Sequence, residues 1–129
     1  MAGKSNFDLK DLEVYQLSRE LSDLAWRVYS NLTVQQRKLI GDQFLRAVDS
    51  VGANIAEGFG RYHHLDKIKF FYNARASMYE AFDHWAELMA NREMIHEQEF
   101  SQIRSAYKKL QVKLNNFIKS TYNQSKKND

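Results

Sequence analysis

One helical seam constrains this chain more than any other feature. Ile68, Phe71, Arg75, Met78, Phe82, Trp85 and Met89 follow one another at alternating steps of three and four, without a slip. That spacing keeps to one side of an α-helix, whereas side chains on a strand repeat with period two. Phe70, Ala74, Ala81 and Leu88 form a second stripe, and Tyr72, Ala76, Tyr79 and Ala86 a third. Only Lys69, Asn73, Glu80, His84 and Glu87 mark a polar strip. A helix this apolar around its circumference needs several neighbours, which also predicts oligomerisation. The sequence has no proline to interrupt it.

Three further amphipathic segments supply those neighbours. The first starts near Asp11, a suitable N-cap, and ends near Asn31, with Val14, Leu17, Leu21, Leu24 and Val28 as its stripe. The second spans about Val34 to Gly58 behind a Thr33 cap. Its stripe is Phe44, Ala47 or Val48, Val51 and Ile55. Gly58 and Gly60 are read as the positive-φ stop. The seam helix runs from about Asp66 to Arg92. The last runs from Glu97 to Tyr122 on Phe100, Ile103, Tyr107, Leu110, Leu114 and Phe117. Short connections between long helices predict an all-α, antiparallel up-down-up-down four-helix bundle. One domain covers 1–129, with a short flexible N-terminus over about 1–8 and a frayed polar tail over about 123–129.

Composition excludes several classes. The chain has no cysteine, so it has no disulfide or thiolate metal site, which fits a reducing cytoplasm. MAGKSNFDLK has no apolar run of a secretory leader, and no stretch approaches a membrane span. A di-iron bundle needs two inward Glu-x-x-His pairs. Here Glu93 and His96 make one such spacing, in a loop, while Glu80 with His84 lies on the polar strip and His63 with His64 in a turn. No metal, cofactor or catalytic group is expected. The glycines of GFGR follow a helix instead of preceding one, so they make no phosphate loop.

Arg75 sits on the seam among Phe71, Met78 and Phe82, where a buried guanidinium needs an acidic partner. Glu57 is the first candidate and Glu80 the second. Gln43, Arg46, Ser50, Asn54 and Glu57 repeat at three and four along the second helix. Gln43, Arg46, Asn54, Glu57, Arg75 and Glu80 are therefore expected to form a structural polar network that fixes helix register. Gly52, Ala56 and Gly60, spaced by four, suggest a close approach of two backbones.

The net charge is +3. An antiparallel bundle brings the turn between the second and third helices beside both termini. Arg61, Lys67, Lys69, Lys119, Lys126 and Lys127, with Lys4 and Lys10, would gather there as a phosphate-contacting end.

Gln43, Arg46, Ala47 and Ser50, the block Asn54-Ile55-Ala56-Glu57-Gly58, and Gly60-Arg61 resemble the four-helix-bundle family of 23S ribosomal RNA intervening-sequence proteins. Phe71, Ala74, Arg75, Ser77 and Glu80 make a second matching block, and FDLKDLEVYQ matches the family's start. Departures are Gly52 for a usual proline, Leu45 for a second arginine, Tyr15 for tryptophan and Ala76 for glycine. The resemblance implies a left-handed bundle assembling into a homopentamer. Its similarity to accessory proteins of diversity-generating retroelements implies nucleic-acid or reverse-transcriptase binding. The function expected is a non-enzymatic cytoplasmic homo-oligomer that binds structured RNA, or DNA. The alternative is a protein-interaction scaffold or accessory subunit for a nucleic-acid-processing enzyme.

Overall fold

The computed structural model describes residues 7–128, and among them every regular element is helical. Four long helices form the molecule: α1 (Glu13–Ser30), α2 (residues 34–59), α3 (residues 64–91) and α4 (Glu97–Asn128). A short 3-10 turn, Leu9–Asp11, precedes α1. Lys4 and most of the expected flexible N-terminus lie outside the described residues.

α1 begins at Glu13, two residues after the expected cap. Asp11 does not cap it, because its carboxylate accepts the Asp8 N–H at 2.8 Å in the preceding turn. Thr33 opens α2 as expected. Its Oγ1 accepts the Gln36 N–H at 3.1 Å, and Gln36 Oε1 accepts the Thr33 N–H at 2.9 Å, a reciprocal cap. One turn later Arg37 reaches back to α1 and donates to the Tyr29 and Ser30 carbonyls at 3.1 and 3.0 Å. Those are orphan acceptors at a helix end, so one side chain closes α1 while starting α2.

The glycines of α2 do not act as a left-handed stop. Gly58 lies inside the helix, and Gly60 has φ −79°. Gly58 is needed for closeness: a Cβ there would meet Phe71 Cε1 at 2.5 Å and the Lys67 carbonyl oxygen at 3.1 Å. The non-glycine residue with positive φ among the described residues is Glu93, at 56°. It ends α3, where Met94 N–H bonds Met89 O at 2.8 Å and Glu93 N–H bonds Ala90 O at 3.1 Å.

α4 continues to Asn128, so the expected frayed tail is helical within the described residues. Thr121 and Ser125 are buried on its inner face, and their hydroxyls donate to Phe117 O and Tyr122 O. Small hydroxyl residues can thus extend an inward stripe that a search for apolar side chains does not register.

Each helix packs on two others in the order α1–α2–α3–α4–α1, the contacts of a four-helix bundle. Neighbours run in opposite directions. Along α1 and α2, Gly52 meets Ser18 while Asp42 meets Tyr29. Along α3 and α4, Phe71 meets Phe117, Arg75 meets Asn115, and Phe82 meets Phe100. Leu21, Phe44, Ile55, Phe71, Met78, Met89, Leu110 and Leu114 fill the centre.

Two stretches depart from α-geometry. Arg37–Gly41 in α2 and Tyr79–Ala86 in α3 are π-helical, with i→i+5 bonding. The second modifies the seam. Ile68, Phe71, Met78, Phe82 and Met89 are buried, but Ala86 takes the inward place expected of Trp85. Trp85 stays half-buried against the edge of the core, and its indole N–H donates to the Glu80 carboxylate at 2.9 Å.

Candidate nucleic-acid interface

Of the six cations expected at one end of the bundle, two are already engaged. Arg61 donates to Glu57 at 2.8 Å and lies 4.6 Å from the Phe70 ring centroid. Lys67 Nζ donates to the Phe59 carbonyl at 3.0 Å, capping the C-terminus of α2 from the first turn of α3. Partial burial lowers its pKa from the usual lysine value. Lys69, Lys119, Lys126 and Lys127 are exposed. Of the six, Lys67 alone lines the cleft at this end, about 290 Å³, with Phe7, Phe59, His64, Thr121 and Gln124.

The expected polar network is not one network. The lock between Arg75 and Glu57 is not formed, because Glu57 faces outward and bonds Arg61. Arg75 is half-buried. Its guanidinium lies 4.9 Å from the Tyr72 ring centroid and donates to Asn115 Oδ1 at 3.1 Å. A long side chain on a seam position can turn along the helix and place its charge at the rim. Glu80 bonds Trp85, while Gln43 and Arg46 are exposed. Asn54 joins a chain that crosses from α2 to α3. It donates to Ser50 O and Ser50 Oγ at 2.9 and 3.0 Å, and Ser50 Oγ meets Ser77 Oγ on α3 at 3.0 Å. That pair fixes α2 against α3. Its sequence signal was the presence of both serines in the two matching blocks.

The larger positive feature is α4. From Arg104 to Lys127 it carries Arg104, Lys108, Lys109, Lys113, Lys119, Lys126 and Lys127, with no Asp or Glu. Two contacts orient it. Lys113 Nζ lies 3.6 Å from Glu13 on α1, and Asn115 accepts from Arg75 on α3. Lys119, Tyr122 and Lys126 follow Asn115 by four, seven and eleven residues, so they share its α3-facing edge. Lys108 and Arg104 continue that edge the other way. On α3, Tyr72 and Tyr79 border the same groove. Lys126 Nζ lies 4.9 Å from the Tyr122 ring centroid.

Further along, Tyr107 OH donates to Asp83 at 2.9 Å. Burial, then the hydrogen bond to Asp83, pushes the Tyr107 pKa well above the usual phenol range. Among the described residues no group of His, Asp and Glu is arranged to hold a metal ion.

The sequence pattern of the 23S rRNA-intervening sequence proteins matches residues 10–116. The chain belongs to that family. The chain is similar in fold to a protein of unknown function from the S23 ribosomal protein family of Bacteroides thetaiotaomicron VPI-5482. The TM-score is 0.76 at 26% identity, over 83% of this chain and 96% of the other. No curated protein matches it. Lys119, Tyr122, Lys126 and Lys127 lie beyond the matched residues, so the basic end of α4 is a feature of this chain outside the family pattern. No helix among the described residues is long and apolar enough to cross a membrane.

Proposed function

We propose that this protein is a non-enzymatic, cytoplasmic homo-oligomer that binds nucleic acid, with structured RNA as its ligand. The observation that carries the reading is the carboxylate-free run of cations on α4 from Arg104 to Lys127. Asp and Glu would repel a phosphate backbone, and a helix surface that omits them over this length favours a polyanion. The left-handed twist and pentameric assembly implied by the family resemblance belong to the same proposal. Assembly would multiply the cationic surface per particle. A mobility-shift titration of a folded ribosomal RNA fragment at increasing salt tests it. Binding should fall steeply with log salt as counterions are released. No shift at low salt overturns the reading.

A second reading, a scaffold for a protein partner, is favoured by the outer α1/α2 groove. Tyr15, Trp26, Leu45, Gly52, Ala53 and Ala56, together with Arg19, Ser22, Asp23 and Asp49, line a depression of about 410 Å³, and Trp26 is 58% exposed. A second copy of the chain is the first candidate to cover it.

A further inference from the structure

The geometry points to a track for an unpaired strand of nucleic acid along the α3/α4 face, with bases stacked on Tyr72 and Tyr122 and phosphates held by Arg75, Lys119 and Lys126. The inference rests on the nucleic-acid reading and narrows it to single-stranded segments of the ligand.

Three observations carry it. First, each helix bordering the groove presents the same unit, a tyrosine with a cation over its ring: Arg75 on Tyr72 at 4.9 Å, and Lys126 on Tyr122 at 4.9 Å. Second, Tyr72 and Tyr122 are 45% and 46% exposed, and Tyr79, further along the groove, is 47% exposed. Large rings so open to water sit in a row where lysine or glutamate would serve solubility equally well. Third, the contact from Arg75 to Asn115 at 3.1 Å ties the two units into one face.

A duplex hides its base faces, so tyrosine rings add nothing for it that cations do not already supply. A single strand offers a π-face at every base and a phosphate beside it, and exposed rings interspersed with cations supply a partner for each. The track is bounded at the other end by Asp83, which the Tyr107 hydroxyl holds in place, and by Glu80. The groups assigned to the track stack on bases or hold phosphates, so the strand is held without strong sequence preference.

Fluorescence anisotropy on the intact chain provides the test, with labelled oligouridylate, oligothymidylate, a blunt RNA duplex and heparin as probes. Oligouridylate should bind at least about ten-fold more tightly than the duplex at equal salt. Similar binding of oligothymidylate extends the track to DNA, and weaker binding confines it to RNA. Tyr72→Leu with Tyr122→Leu keeps charge and helix propensity, and should weaken oligouridylate about ten-fold or more while leaving heparin unchanged. Lys119→Gln with Lys126→Gln should weaken every probe and flatten the salt dependence.

An unchanged affinity in the leucine variant overturns the track. The nucleic-acid reading survives that result if the glutamine variant still weakens all probes. Failure of the intact protein to bind any nucleic acid at low salt overturns both. If the leucine variant does not fold, photocrosslinking of an iodouracil-substituted strand to the unaltered protein decides. Adducts on Tyr72 or Tyr122 support the track, and adducts confined to other helices overturn it.

Discussion

At Gly58 a β-carbon would stand 2.5 Å from Phe71 Cε1 and 3.1 Å from a backbone carbonyl, beside a buried ring already packed on Phe117. Gly58→Ala should therefore lower stability by about 1–3 kcal/mol, read from the denaturant midpoint, despite the better helix propensity of alanine. Gly60→Ala meets nothing closer than 3.7 Å and keeps an ordinary φ. It should be neutral or raise stability by about 0.4–1 kcal/mol. Both glycines are visible in the sequence, but spacing cannot separate a glycine that admits a neighbouring ring from one that bends the chain. The same holds at Arg75. Its seam position is legible, while the turn of its side chain to Asn115 depends on a helix forty residues away. Arg75→Ala should cost about 1 kcal/mol or less, measured by thermal melting, because it leaves no buried carboxylate unpaired.

The four helices and most of their boundaries were legible, because apolar spacing of three and four is a local signal. What was not legible came from atoms other than apolar carbons. The π-helical turn at Tyr79–Ala86 put Ala86 at the centre of the inner face and left Trp85 half-buried at its edge, and the end of α4 turned inward on Thr121 and Ser125. The link between α3 and α4 also has a pH signature. Tyr107 has its folded pKa raised by burial and by Asp83, from 10.0 in the unfolded chain. Below that value the phenol is protonated in both states and its contribution is constant. Above it the unfolded chain loses the proton first, so stability falls as pH rises towards the folded value. Tyr29, raised by its bond to Asp42, acts with the same sign. Unfolding midpoints between pH 9 and 11 should decline in the native chain (about one unit either side of the phenol reference). Tyr107→Phe should show a shallower decline.

Viewed as a whole, the molecule has two candidate faces. The α1/α2 side offers Trp26 and a floor of Gly52, Ala53 and Ala56 together with Arg19, Asp23 and Asp49, whereas the α3/α4 side offers cations and tyrosines, with no carboxylate on α4 beyond Glu99. An assembly closed on the first side would leave the second outward on every copy. Trp26→Glu should then shift the particle mass towards that of a monomer by light scattering, with helical circular dichroism retained. A variant that stays assembled places the copy-to-copy contact elsewhere. The arrangement of the four helices was readable from the length of the connections. Which α4 side chains border α3 was not, because that depends on contacts between distant residues such as Phe71 with Phe117, Asp83 with Tyr107 and Arg75 with Asn115.

The π-helical turn of α3 also gives the chain some freedom in its own length. An i→i+5 turn is an α-turn that has taken in an extra residue, so the helix can lose one there and close up as ordinary α-helix. Removing His84, exposed within Tyr79–Ala86, should leave a cooperative melt close to that of the intact chain. Removing Asn73, equally exposed but in regular helix, would rotate everything beyond it by about 100° and carry Met78, Phe82 and Met89 off the core. Indels among related chains should accordingly collect inside this apolar helix, at a place where loops are usually thought to be required.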